Sequence, residues 1–294
     1  MAGPIIETRW RPLGSTDPFR LKEARLQAHY ALQWLARAAR AYIPPQPDDS
    51  HTCLHWDDAL DAFATQNFAG GARVLLRIPT LTLTVQGDEG EADSQSLALD
   101  SRTDAQAREW LGKQLEARRL VPAALDEPAP YEIPAHAIAG GAAYEARAEA
   151  DGLALLATWY ANAAALIEGV RRRVAGERLA VSTLCCWPHH FDLAILAMLS
   201  VHHSAEPGMI GVGLSPGDEY YDEPYFYVSV YPEPKAEALP ALPPVGCWHT
   251  RDFTAAVAPA QKILAAKNAE IETGRFLDEG VGASLGLLSQ VSEG

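Results

Sequence analysis

Apolar residues recur at helical spacing near the start of the chain. Leu21, Ala24, Ala28, Ala31, Leu35, Ala38 and Tyr42 form one stripe, and Lys22, Arg25, His29, Arg37 and Arg40 fall off it. This predicts an amphipathic helix from about Phe19 to Tyr42, opened by Asp17-Pro18 and stopped by Pro44-Pro45, with His29 on its solvated side. The same period returns in Leu156, Trp159, Tyr160, Ala163, Leu166, Ile167, Val170 and Val174. It predicts a second long helix over Leu153 to Val174, with Gly176 as its C-terminal cap. Shorter helices are expected from Thr103-Asp104 to about Arg119, from Asp252 to Lys267, and from Gly274 to Ser289 behind a Thr273 cap. Strands are read at Val74 to Ile78, at Leu81, Leu83 and Val85 between threonines, at Leu193 to Val201, at Met209 to Leu214, and at Phe226, Val228 and Val230 between tyrosines. Residues 50–57 read as a short strand that ends in Trp56. Gly70-Gly71 marks a turn. Gln86 to Ser101 is polar and reads as a surface loop.

Long helices alternating with runs of strands predict an α+β fold, an antiparallel sheet with helices packed on it. Each half places a long helix before a short Ser-to-Trp stretch, apolar strands and a closing helix. The expectation is therefore a single domain over 1–294, internally duplicated as helix-strands-helix. Its pseudo-repeat halves lie at roughly 17–120 and 151–272, joined by a proline- and glycine-rich connection over 121–150.

Composition narrows the function. The chain has 294 residues, 48% of them hydrophobic, enough for a substantial core. A net charge of −14 argues against a nucleic-acid partner, which would require a basic surface. The one dense basic run, Arg171-Arg172-Arg173, falls at a predicted helix end, where it complements the helix dipole. The longest apolar run, Leu193 to Val201, is too short to cross a bilayer, so no membrane partner is expected. Met1-Ala2-Gly3-Pro4 lacks the charged and apolar regions of a signal, so a cytoplasmic location is expected. Cys53, Cys185, Cys186 and Cys247 are few for this length and are expected to be buried free thiols in a reducing compartment.

Candidate chemistry concentrates in residues 182–192, which bring together Cys185, Cys186, Trp187, His189, His190 and Asp192. On a strand, His190 and Asp192 would point the same way. An imidazole and a carboxylate suit a divalent transition metal, with Asp218, Glu219, His51 or His55 as a further ligand and a bound water as the nucleophile of a hydrolase. A nucleophilic enzyme would use Cys185, Cys186 or Ser215 with His189 or His190 as base. A binding module without chemistry would line an amphipathic cleft with Trp187, Tyr220, Tyr221, Tyr225, Tyr227, Tyr231 and Trp248. The preferred expectation is a polar-aromatic pocket for a small molecule built from Trp187, His189, His190, Asp192, Glu219, Tyr225 and Tyr227. A structural role with satisfied histidines and packed aromatics is the competing expectation. Gly211-x-Gly213 lacks the following helix of a dinucleotide fingerprint and reads as a bulge or close strand approach.

Cys186-Trp187-Pro188-His189-His190-Phe191-Asp192-Leu193-Ala194, Gly213-Leu214-Ser215-Pro216-Gly217-Asp218-Glu219 and Glu223-Pro224-Tyr225-Phe226-Tyr227-Val228 with Tyr231-Pro232 resemble a bacterial family known only as a domain of unknown function. Pro44-Pro45-Gln46-Pro47 with Ser50-His51 matches its first half less specifically. The resemblance implies one domain and a bacterial cytoplasmic origin. It carries no established activity and no catalytic residues.

Overall fold

A computed structural model describes residues 10–14, 17–68, 70–176, 179–199 and 208–291. The expectations for Met1 to Pro4, Ser200, Val201, Glu293 and Gly294 lie outside these. The first part of the chain forms α1 (Lys22–Tyr42), β1 (His55–Asp57), β2 (Ala62–Ala64), β3 (Arg73–Arg77), β4 (Thr82–Gly87), β5 (Gly90–Ala98) and α2 (Asp104–Ala117). The rest forms α3 (Ala150–Val174), β6 (Leu179–Val181), β7 (Cys185–Trp187), β8 (Asp192–Leu199), β9 (Met209–Ser215), β10 (Tyr225–Tyr231), β11 (Cys247–His249), β12 (Ala255–Pro259), α4 (Ala260–Ala265) and α5 (Ala269–Val291). The fold class is α+β with antiparallel sheets, as the patterning predicts.

The chain groups into two compact units. One holds Phe19–Ala157 together with Cys185–Asp192. The other holds Met1–Pro18, Thr158–Leu184 and Leu193–Gly294. These memberships differ from the halves drawn on the sequence: residues 151–157 join the first unit and residues 17–18 the second. The 121–150 connection belongs to the first unit, and so does the short segment from Cys185 to Asp192.

The first unit is a meander, β1-β2-β3-β4-β5, with every neighbour antiparallel. Phe63, Val74, Leu76, Leu83 and Val85 are fully buried, and α1 packs against β3. The burial of α1 runs almost all round it. Arg25, Gln27, His29 and Gln33 are enclosed beside the predicted alanine and leucine stripe. His29 is therefore a buried residue, not a solvated one. Residues 90–98, expected within a loop, form strand β5. A polar strand still satisfies its backbone by pairing with β4, and its side chains add hydroxyl pairs such as Thr84 with Ser96 at 2.8 Å. Thr103 caps α2 with a reciprocal capping box to Gln106, as predicted.

The 121–150 connection is ordered along α1. Leu125, Ile138 and Tyr144 are buried. Hydrogen bonds tie it to the helix, among them Tyr42 Oη to Val121 O, Arg37 Nη1 to Leu125 O, Tyr30 Oη to Pro134 O, and Glu145 N to Gln27 Oε1. Proline and glycine here set a path that backbone carbonyls and α1 side chains hold in place.

In the second unit the described strands run β11-β12-β10-β9-β8-β6, each antiparallel to its neighbour. Trp159 of α3 packs on Phe226, with ring centroids 6.3 Å apart. Gly280 lets α5 approach β10, where a β-carbon would sit 2.9 Å from Val228. The helix predicted from Asp252 to Lys267 is instead β12 followed by the short α4. Residues 255–259 are buried on both faces, so their apolar run shows no strand period, and Pro259 cannot lie inside a helix. Helix α5 starts at Ala269, where Asn268 Oδ1 accepts from Ile271 N, and Thr273 is an interior residue whose hydroxyl donates to Ala269 O. Gly176 has no positive φ and does not form the predicted cap of α3. By length and composition α3 could cross a membrane, and 61% of its apolar window is buried.

Candidate functional site

Strand β7 ends at Trp187, and Pro188 to Phe191 make a tight turn closed by Phe191 N donating to Trp187 O at 2.8 Å. Phe191 sits in the left-handed region at φ 58°. That conformation costs a non-glycine residue about 1–2 kcal/mol. Burial of the ring returns about 2–3 kcal/mol, and the Phe191 ring is fully buried. It stacks on His29 at 5.2 Å and 14° and meets Phe63 edge-on at 6.0 Å. Burial therefore outweighs strain and locks the turn.

The turn is also held by its own carbonyl. Pro188 O accepts from His29 Nε2 at 2.8 Å and from Gln33 Nε2 at 2.9 Å. Because the acceptor is a carbonyl, the His29 proton resides on Nε2. Burial, aided by the charges of Arg25, His190 and His189, lowers the His29 pKa to about 4, against the opposing bond to Pro188. Gln33 Oε1 accepts from Tyr131 Oη at 3.0 Å, and Arg40 Nη1 donates to the same phenol at 3.3 Å. The Arg40 guanidinium lies 5.7 Å over the Tyr131 ring.

His189 projects from this frame into an aromatic setting. Its ring lies 5.6 Å from Tyr131, 6.3 Å from Trp187 and 4.2 Å from His190. Partial burial, and then the neighbouring His190, push its pKa down, while Asp49 opposes. His189 and Trp187 are half-buried and His190 is exposed. The turn thus offers imidazoles beside two aromatic faces on a backbone fixed from below.

The structure corrects the premise of the metal pair. His190 lies in the turn and is exposed, whereas Asp192 opens β8 and is buried. They do not share a strand face. Among the described residues no group of three or more His, Cys, Asp or Glu side chains is placed to hold a metal ion. His51 is engaged elsewhere, its Nδ1 accepting from Gln46 N at 3.1 Å.

The thiols are also corrected. Cys53 and Cys185 form a disulfide with Cα atoms 5.4 Å apart, so two of the four are not free. It sits beside the antiparallel bridge between Leu54 and Cys186. Cys186 is a buried free thiol whose pKa is raised well above the ordinary value by burial and by Asp192. A nucleophile needs the thiolate, which this setting suppresses. Ser215, the third candidate nucleophile, accepts from Gly217 N and belongs to the other unit.

Glu219, Tyr225 and Tyr227 likewise belong to the second unit. Tyr225 Oη donates to Asp218 Oδ2 at 2.5 Å, while Asp218 Oδ1 accepts from the backbone of Tyr220 and Tyr221. Tyr221 Oη bonds His249 Nδ1, and His249 Nε2 donates to Arg251 O at 2.6 Å. The tyrosine hydroxyls here pin the 216–223 loop. Tyr227 lies over Gly213, where a β-carbon would be 2.6 Å from the ring, so this glycine serves the close approach expected of it. Glu219 is exposed. The seven pocket residues proposed from the sequence therefore divide between two units. Trp187, His189, His190 and Asp192 fall in the first, and Glu219, Tyr225 and Tyr227 in the second.

The sequence reading missed His29, Gln33, Arg40 and Tyr131. One signal was available. His29 and Gln33 stand four apart, hence side by side on α1, so two polar residues can converge on one acceptor. The chain matches no family model, no curated protein and no solved structure. The resemblance described for the sequence rests on its quoted motifs alone.

Proposed function

We propose that the first unit binds a small molecule at the His189–His190 turn. The observation that carries this reading is the double hydrogen bond from His29 and Gln33 to Pro188 O. It enlists buried polar side chains of α1 to fix the backbone beneath two imidazoles. Preorganised backbone under accessible donor-acceptor groups is the arrangement that binding sites require. A neutral imidazole donates and accepts at once, and the Tyr131 and Trp187 rings add flat apolar surface. The ligand this favours is a planar, uncharged or weakly polar molecule able to stack and to form two hydrogen bonds.

The test is a thermal-shift panel of nucleosides, nucleobases and aromatic amino acids, followed by NMR of the histidine ring protons. The expected result is a compound that raises the melting temperature, shifts the His189 and His190 resonances, and loses its effect in His189→Ala while that variant melts as the wild type does. A panel in which every hit binds His189→Ala and wild type equally refutes the assignment.

A further inference from the structure

We infer that the Cys53–Cys185 disulfide is a redox latch on the His189 turn: oxidised, it holds residues 185–192 in place, and a dithiol reductant releases them. Its consequence for ligand binding rests on the reading of that turn as a small-molecule site.

Connectivity carries the inference. Residues 185–192 belong to the first unit, but their chain neighbours, Leu184 and Leu193, belong to the second. No peptide bond therefore joins the segment to its own unit. The disulfide to Cys53 does so instead, and the other two cysteines, Cys186 and Cys247, are free thiols. The link also lies close to the site, since Cys185 opens β7 and Trp187 closes it just before the turn. Strand β7 has three residues and meets the chain beside Cys53 through one bridge, Leu54 N to Cys186 O at 3.1 Å and Cys186 N to Leu54 O at 2.8 Å. Farther along, the bonds to Pro188 O and the buried Phe191 ring hold the turn. All of these are noncovalent, so cutting the one covalent tie lowers the free energy of opening the segment.

Oxidation at this place has a single product. Successive side chains on a strand point to opposite faces, so Cys185 meets Cys53 while Cys186 points away. Cys186 is buried, and burial and Asp192 disfavour its thiolate, which keeps it out of exchange. Cys247 belongs to the other unit. Reduction transfers two electrons. A thiolate of the dithiol attacks one sulfur of the link, forms a mixed disulfide and releases the other cysteine. The second thiol of the reductant then displaces the remaining cysteine and closes the reductant's own disulfide. The two thiol protons of the reductant end on Cys53 and Cys185. Both cysteines are buried, so attack waits for the segment to open, and a ligand that holds the turn closed slows it.

The test compares the oxidised protein with the same protein reduced by dithiothreitol without denaturant, by amide and histidine-ring NMR and by the affinity of a compound from the thermal-shift panel. A disulfide that is only a staple acts through the unfolded chain and leaves folded-state signals away from the two cysteines where they were. The latch predicts that the Trp187, His189 and Phe191 signals shift and broaden on reduction while those of α2, in the same unit, stay. Affinity should fall about tenfold, as when about a tenth of the molecules keep the turn closed. Reoxidation should restore both, and Cys53→Ser should reproduce the reduced state without reductant. Unchanged turn signals once mass spectrometry shows both thiols free, equal disturbance of α2 and the turn, or a link that dithiothreitol leaves intact overturns the latch. Equal affinity of both forms overturns its control of the site. Turn signals that respond to reduction while no compound binds either form uphold the latch and refute the ligand reading alone.

Discussion

Lowering the pH from 7 to 4 sets the folded state against protonation of His29. The imidazole is buried, stacked on Phe191 and committed through Nε2 to Pro188 O, and its pKa in the fold is about 4. In the unfolded chain it titrates near 6.5. A depressed folded pKa means that the unfolded state takes up the proton first. The contribution of His29 to stability is complete above pH 6.5 and is lost as the pH falls towards 4. A difference of about 2.5 pKa units at 1.36 kcal/mol each gives about 3 kcal/mol. Carboxylates titrate in the same window, so the measurement must be differential. His29→Gln keeps a donor of similar reach for Pro188 O and removes the titration. Urea unfolding of both proteins at intervals from pH 7.5 to 4 should give stability curves that diverge by about 3 kcal/mol, the wild type falling more steeply. The His29 ring protons should show no titration near 6.5 by NMR. Parallel curves for wild type and His29→Gln, or a His29 midpoint near 6.5, would falsify the claim that this imidazole is held neutral beneath the turn.

Two further outcomes follow from the cysteines. The Cys53–Cys185 link joins positions 132 residues apart, and the chain-entropy model assigns about 5 kcal/mol to a loop of that length. Denaturant unfolding of Cys53→Ala with Cys185→Ala should show a loss of that order in the first unit, and a midpoint equal to the wild type's would contradict the link. Thiol labelling of the native protein at pH 8 should modify Cys247 and spare Cys186, since Cys186 is buried with its thiolate disfavoured; labelling of both at one rate counts against that burial.

The sequence by itself determined α1, α2 and α3, the β3, β4 and β10 strands and the α+β class. In these segments apolar residues repeat with one period on one face, and a local repeat needs no knowledge of the partner that covers it. It also singled out residues 182–192, the segment on which the proposed binding turn rests. Other features were decided only by the tertiary structure. Strand β5 has no apolar face to announce it, because its order comes from the ladder with β4. Strand β12 is buried on both sides, so its pattern is the same as that of a buried helix until Pro259 and the pairing with β10 decide. The roles of His29, Gln33 and Tyr131 depend on partners from 98 to 159 residues away. His190 and Asp192 separated because Phe191 turned left-handed to bury its ring, an energy balance set by Phe63 and His29 and not by neighbours in the chain. Local periodicity is written in adjacent residues; hydrogen-bond partners, burial and the protonation of a histidine are fixed only when distant segments meet.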